Sequence, residues 1–222
     1  MSAPKTWLEV RDLSLARGHR TLLDRLGFDL SRGSAILLQG PNGSGKSSLL
    51  RALLGLSIAS GGELRLDGER FSPGSGKLCA HALYQGHASG LKGELDAIEN
   101  LALAAALDGS ATDAAALRLA LAAADIAREA GIVVRRLSQG QRQRLVLARF
   151  ALANQRPSPL RPLWLLDEPS AALDRAGAVM LDELLALHLR RGGAAIIATH
   201  LPILAAAEPT LRPQTIELGG LA

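Results

Sequence analysis

The sequence predicts an α/β fold: a mostly parallel sheet covered on both faces by helices, with antiparallel strands before it and a helical subdomain inserted into it. Three observations carry that prediction. The apolar runs SAILLQ (34–39), LWLLD (163–167) and AAIIAT (194–199) are too short for helices and read as buried strands. Helical stretches alternate with them, which is the pattern of parallel strands joined by crossovers. Between about Glu94 and Gly131 the texture changes to an Ala- and Leu-rich run that no strand interrupts.

Taken in order, WLEVRDLSL (7–15) alternates as a strand, and GFDL (27–30) can pair with it. SAILLQ leads directly into GPNGSGKSS and then the helical stretch SLLRALLGL. GGELRLDGER (61–70) holds an Asp-Gly turn and predicts a hairpin. KLCAHALY (77–84) is expected to be a further strand. The helical subdomain, about 94–131, is broken by DGSATD at 108–113. A helix over 139–153, a Pro-rich loop over 156–162, strand LWLLD, a helix over 175–191 and strand AAIIAT complete the pattern. One domain over 1–222 is expected, its core about 1–93 and 132–222.

Composition narrows the function classes. With 48% hydrophobic and 21% charged residues, the 222-residue chain can bury a real core, so disorder is not expected. A net charge of +4 permits an anionic partner without demanding one, and no nucleic acid is expected. The single Cys79 excludes a disulfide framework and any multi-cysteine metal site. The first residues, MSAPKTWLEVRDL, lack the apolar core of a signal peptide, and no run approaches the ~20 apolar residues that span a bilayer. A cytosolic chain is expected, unless a partner holds it at a membrane.

The chemistry concentrates in a few short stretches. Gly40-Pro41-Asn42-Gly43-Ser44-Gly45-Lys46-Ser47 satisfies the G-x-x-x-x-G-K-[ST] phosphate loop, with a strand before it and a helix, starting near Ser48, after it. Glycines let successive backbone N–H groups face a polyphosphate at the positive end of that helix. Lys46 is placed for the β- and γ-phosphates, and Ser47 offers a hydroxyl to Mg²⁺. In LWLLDE, an apolar strand delivers Asp167 beside the loop, where it can hold Mg²⁺ through water. Glu168 follows, positioned to polarise an attacking water as general base.

LSQGQRQRLVLAR (137–149), LWLLDEPSAALD and ATH, following the phosphate loop in this order, resemble the nucleotide-binding subunit of an ATP-binding cassette (ABC) transporter over essentially the whole chain. The resemblance implies a P-loop NTPase core that binds ATP and Mg²⁺ and forms a head-to-tail homodimer. In that arrangement Ser138, Gln139, Gly140 and Gln141 close over the γ-phosphate held by the other copy's phosphate loop. His200 matches the switch histidine that contacts the γ-phosphate and orients Glu168 and water. Asp174 matches the loop that crosses the dimer interface and couples the two sites. Arg142, Arg144 and Arg149 are spaced like a helix surface and are read as solvated charges or ion pairs.

Two positions depart from the family pattern. Where an aromatic usually stacks on adenine, counting back from Gly40 lands on Arg17, so Arg17 or His19 is expected in that role; a guanidinium can stack by its planar face. Where the family has a glutamine that touches Mg²⁺, the row reads YQGHASGLK, leaving His87 or Gln85 for the slot. The GH…GLK loop, the short chain and the terminal THLP are similar to the ATP-binding subunit of the haem exporter of c-type cytochrome maturation. That similarity implies integral-membrane permease subunits as partners and a peripheral position on the cytoplasmic face of the inner membrane. Another ABC exporter's ATPase, or a soluble ABC ATPase of DNA repair or translation, are the alternatives. The latter usually carries a long coiled coil or a second cassette, and neither is present in this sequence.

Overall fold

The computed structural model describes residues 6–109, 113–155, 161–171, 173–204 and 211–219. Two sheets form the frame. The first is antiparallel: β1 (Thr6–Arg17) pairs with β2 (Arg20–Ser31) on one side and with β4 (Gly61–Leu66) on the other. The Asp67-Gly68 turn then leads into β5 (Glu69–Phe71), the expected hairpin.

The second sheet is parallel throughout, in the order β6 (Ala82–Gln85), β7 (Leu163–Asp167), β8 (Ala194–Ala198), β3 (Ala35–Gln39), β9 (Gln214–Glu217). Every residue of β7 and β8 is buried, as expected for strands covered on both faces.

Alternation along each strand divides the core in two. Leu37, Trp164, Leu166, Ala195 and Ile197 face one side, against α2 (Ala97–Leu107), α3 (Ala114–Ala123), α4 (Gln139–Asn154) and α5 (Arg175–Arg190). Ile36, Leu38, Leu163, Leu165 and Ile196 face the other, against α1 (Lys46–Leu53) and the antiparallel sheet. Helix α4 packs on both α2 and α3, burying Leu145 and Val146 with Leu101, Leu117 and Leu121.

Local signals start the helices. Asp96 and Glu99 form a reciprocal capping box at α2, Asp113 caps α3, and Ser138 with Gln141 forms a second box at α4. Each such cap is worth about 1 kcal/mol.

Three expectations are corrected. Lys77–His81 is a 3₁₀ turn, and the strand starts only at Ala82. Gly76 begins the turn at φ +71°, and the Cys79 thiol donates to the Leu54 carbonyl, so the chain curls where alternation alone suggested extension. Strand β2 runs from Arg20, well before GFDL, because the hairpin with β1 closes as tightly as Arg17 opposite Arg20. Strand β9 was not anticipated at all: three of its four residues are exposed, so it carries no apolar pattern. Residues 156–160 of the Pro-rich stretch and 110–112 of DGSATD lie outside the described residues.

The register positions the site. Leu38 lies opposite Ala198, and Ala198 opposite Asp167. The residues just beyond, Gly40, Glu168 and His200, therefore emerge together at the carboxyl edge of the sheet, where parallel α/β folds bind ligands.

Candidate nucleotide site

The phosphate loop is shaped by backbone conformations that only glycine adopts without strain. Gly40 sits at φ +135°, and a Cβ there would lie 2.1 Å from the Leu218 carbonyl oxygen. Leu218 is fixed in turn by donating its N–H to Gln39 O at 2.8 Å. Gly45, at φ +100°, is the residue from which α1 starts. The helix thus aims its first N–H groups into the loop, the arrangement that attracts phosphate.

Lys46 is nearly buried, and its ammonium donates to Gly40 O at 2.7 Å and Pro41 O at 3.2 Å. It also lies 3.1 Å from His200 Nε2, which is 3.2 Å from Asn42 Oδ1 and 3.5 Å from Glu168 Oε1. Two strand ends and the loop thereby converge on one imidazole. Glu168 itself occupies the left-handed region at φ +52°, an uncommon place for a non-glycine residue. Its N–H donates to Ala198 O at 2.8 Å, which ties it to the strand that leads to His200.

Asp167 is 4% exposed; Oδ1 accepts from the Ser47 hydroxyl at 2.9 Å, while Oδ2 is buried without a hydrogen-bond partner. A buried carboxylate oxygen left unpaired is costly, and a cation offsets that cost. A hydroxyl beside a carboxylate is a hard oxygen donor set, so these residues suit Mg²⁺ completed by water and phosphate.

Most of these groups line a cavity of about 550 Å³, whereas Gly40 and Pro41 line a smaller one that shares His200 with it. Arg17 and His87 are on the wall of the larger cavity, as are Asn42–Ser48, Asp167, Glu168 and His200. His19 is not. Gln85 is buried and donates to the Gly86 carbonyl at 2.8 Å, facing a smaller pocket that Asn100 and Arg149 also line. Sequence reading missed Leu22, Arg51 and Ala171, which also line the cavity. For Arg51 a signal existed: it follows Ser47 and Ser48 by four and three residues, on the same helix face.

The Ser138 turn lies elsewhere. None of Ser138, Gln139, Gly140 or Gln141 lines this cavity. Ser138 Oγ accepts from Gln141 N, and Gln141 Oε1 accepts from Ser138 N, so the turn is rigid at the head of a 16-residue helix. A Cβ at Gly140 would meet nothing within 4 Å, so the chain's own packing does not demand glycine there. Asp174 caps α5, accepting from Gly177 N at 2.7 Å. That N–H, and then the Arg144 guanidinium, hold its carboxyl below the usual range. The helix arginines are engaged within the chain: Arg142 with the Val134 and Arg135 carbonyls, Arg144 with Asp125 and Asp174, Arg149 with Asp108.

The ABC transporter family profile matches residues 23–171. Cytochrome c biogenesis ATP-binding export protein CcmA 2 of Cupriavidus metallidurans is 43% identical over 193 residues, covering 87% of this chain and 89% of that protein. The like-named protein of Pseudomonas aeruginosa is 37% identical over 205 residues, covering 92% and 98%. A solved ATP-binding subunit of an ABC transporter superposes with a TM-score of 0.78 at 28% identity, over 96% of this chain and 86% of that one. A dimeric ATP-binding cassette in a post-hydrolysis state, bound to ADP and Pi, shares the fold with a TM-score of 0.72 at 24% identity, over 87% and 88%.

Proposed function

This chain belongs to the ABC transporter family, and from that premise we propose that it hydrolyses ATP to energise the haem export step of c-type cytochrome biogenesis. The observation that carries the reading is the constellation itself: Lys46, Ser47, Asp167, Glu168 and His200 meet at one cavity, in a chain 43% identical to a cytochrome c biogenesis export protein.

The loop N–H groups and Lys46 bind the phosphates; binding exchanges the Gly40 and Pro41 carbonyls at the ammonium for phosphate oxygens. Ser47 and Asp167 would hold Mg²⁺, and His87, on the same cavity wall, would be a further candidate contact. When bound, the ion neutralises charge on the β- and γ-phosphates. Glu168 accepts the proton of the attacking water, and His200, within reach of both Glu168 and Lys46, orients that water against the γ-phosphate. Arg17, on the cavity wall, packs on the base by its guanidinium plane.

In the head-to-tail dimer, Ser138 and the Gly140 N–H cover the partner's γ-phosphate. This explains a rigid N-terminal turn set apart from its own cavity, with a glycine that local packing does not require. In this reading the helical subdomain spans about 94–131 and the core about 1–93 and 132–222. Among the described residues no helix is long and apolar enough to cross a membrane. On the same reading, permease subunits hold the chain on the cytoplasmic face of the inner membrane, and their coupling segment docks between core and subdomain.

The test is purification of tagged wild-type and Glu168→Gln protein from native membranes, with identification of what co-purifies. Small haem-handling membrane subunits, and ATP trapped by Glu168→Gln, are expected. A different permease overturns the haem assignment, and soluble partners alone overturn transport.

A further inference from the structure

Two adjacent side chains of α4 reach the segment that carries Glu168, and the chemistry described above uses neither. Gln143 Nε2 donates to the Ala171 carbonyl at 3.0 Å. Arg144 Nη2 pairs with Asp174 Oδ2 at 3.1 Å, and its Nη1 with Asp125 Oδ2 at 2.8 Å. Ala171 shares the cavity wall with Glu168, and its N–H donates to the Glu168 carbonyl at 3.0 Å. Asp174 caps α5. The Arg144 side chain is only 17% exposed and faces two carboxylates from separate elements, one after α3 and one before α5. An arginine presents fixed donors in a plane, so it can hold both at once. Gln143 and Arg144 sit on the first two turns of the helix that Ser138 caps. Neither lines the cavity.

We propose that Gln143 and Arg144 form a clasp that locks the Glu168–Ala171 turn and Asp174 to the head of α4, so that capture of a partner's phosphate by Ser138 is transmitted within the same chain to Glu168. The clasp rests on the reading that Ser138 closes over a partner's nucleotide. Two grips, one on the Ala171 carbonyl and one on Asp174, restrain rotation as well as translation of the carboxylate turn. A displacement of α4 when Ser138 engages phosphate is therefore carried to Glu168 rather than absorbed between the two. Gln143 and Arg144 are positioning residues: they act on hydrolysis through Glu168 and leave nucleotide binding to the phosphate loop.

The experiment compares wild type, Gln143→Glu, Arg144→Lys, Asp125→Asn and Ser138→Ala as full-length protein in its native membrane complex. It measures ATP affinity, the ATP dependence of turnover and thermal stability. Gln143→Glu is isosteric but removes the donor to Ala171. It is expected to cut kcat about tenfold, move ATP affinity less than threefold and bring the Hill coefficient toward one. Arg144→Lys should fall between it and wild type, because an ammonium point charge cannot reproduce the fixed planar hold of the guanidinium on Asp174. Asp125→Asn leaves the grip on Asp174 intact and should retain wild-type kcat. Full kcat in Gln143→Glu overturns the clasp, as does a loss of kcat that tracks thermal stability equally in Asp125→Asn. Ser138→Ala separates the two readings. If it keeps full turnover, closure in trans is wrong; if it loses turnover while Gln143→Glu does not, only the clasp is wrong.

Discussion

Acidification should cost this chain more stability than its surface carboxylates require, because protonating His188 means charging a ring that the fold keeps dry. His188 lies on α5 and is 1% exposed. Its imidazole stacks on the Trp164 indole at 3.9 Å with planes 10° apart, and Nε2 lies 3.1 Å from the Pro162 carbonyl oxygen. Burial pushes its pKa down from 6.5 to about 4, against hydrogen bonds to the backbone of Ala194 and Pro162 that pull it up. The unfolded chain takes this proton near 6.5 and the folded chain only near 4, so between those values the unfolded state binds more protons. Stability is complete above about 6.5, falls as pH falls, and has lost the whole contribution below about 4. A gap of about 2.5 pK units at ~1.4 kcal/mol each is about 3.5 kcal/mol, of which about 2 kcal/mol is gone at pH 5. For a chain of this size that is a fall in Tm of about 4–8 °C. The assay is urea unfolding at pH 8 and pH 5 for wild type and His188→Gln, which keeps an amide donor but cannot take the proton. The variant should be less stable at both pH values, with a pH dependence about 2 kcal/mol smaller. Equal pH dependence in the two proteins would refute the reasoning.

Other expected outcomes follow from the site. Gly40→Ala puts a Cβ 2.1 Å from Leu218 O at a backbone angle L-residues avoid, so the loop must shift; nucleotide affinity should fall at least about tenfold, measured by titration calorimetry. Lys46→Ala removes the phosphate-facing ammonium and should weaken ATP binding on the order of 100-fold in the same assay. Glu168→Gln should keep ATP affinity and lower turnover about 100-fold or more, read by phosphate release. Arg17→Ala should weaken ATP binding about 2–5-fold, the worth of one guanidinium face on a base; unchanged affinity would remove Arg17 from the base site.

What was legible in the sequence was what depends on neighbours along the chain. The phosphate loop binds through its own backbone, so its glycines and Lys46 had to appear in one contiguous stretch; a buried strand ending in Asp167-Glu168, or a helix headed by Ser138 and Gln141, is likewise local. Tertiary structure alone decided which distant residues meet. Parallel register brings His200 to Lys46 across 154 positions, and the course of the chain after β6 puts His87, not Gln85, on the cavity wall. The exposed strand β9, with no apolar pattern to announce it, presses the Leu218 carbonyl against Gly40. The hold of Gln143 and Arg144 on Ala171 and Asp174 was equally invisible, because nothing along the chain says which carboxylate or carbonyl a helix side chain will meet. Backbone hydrogen bonding and period-2 or 3.6 patterning act over a few residues and leave a trace in the sequence, whereas a side-chain contact across the fold leaves none at either partner.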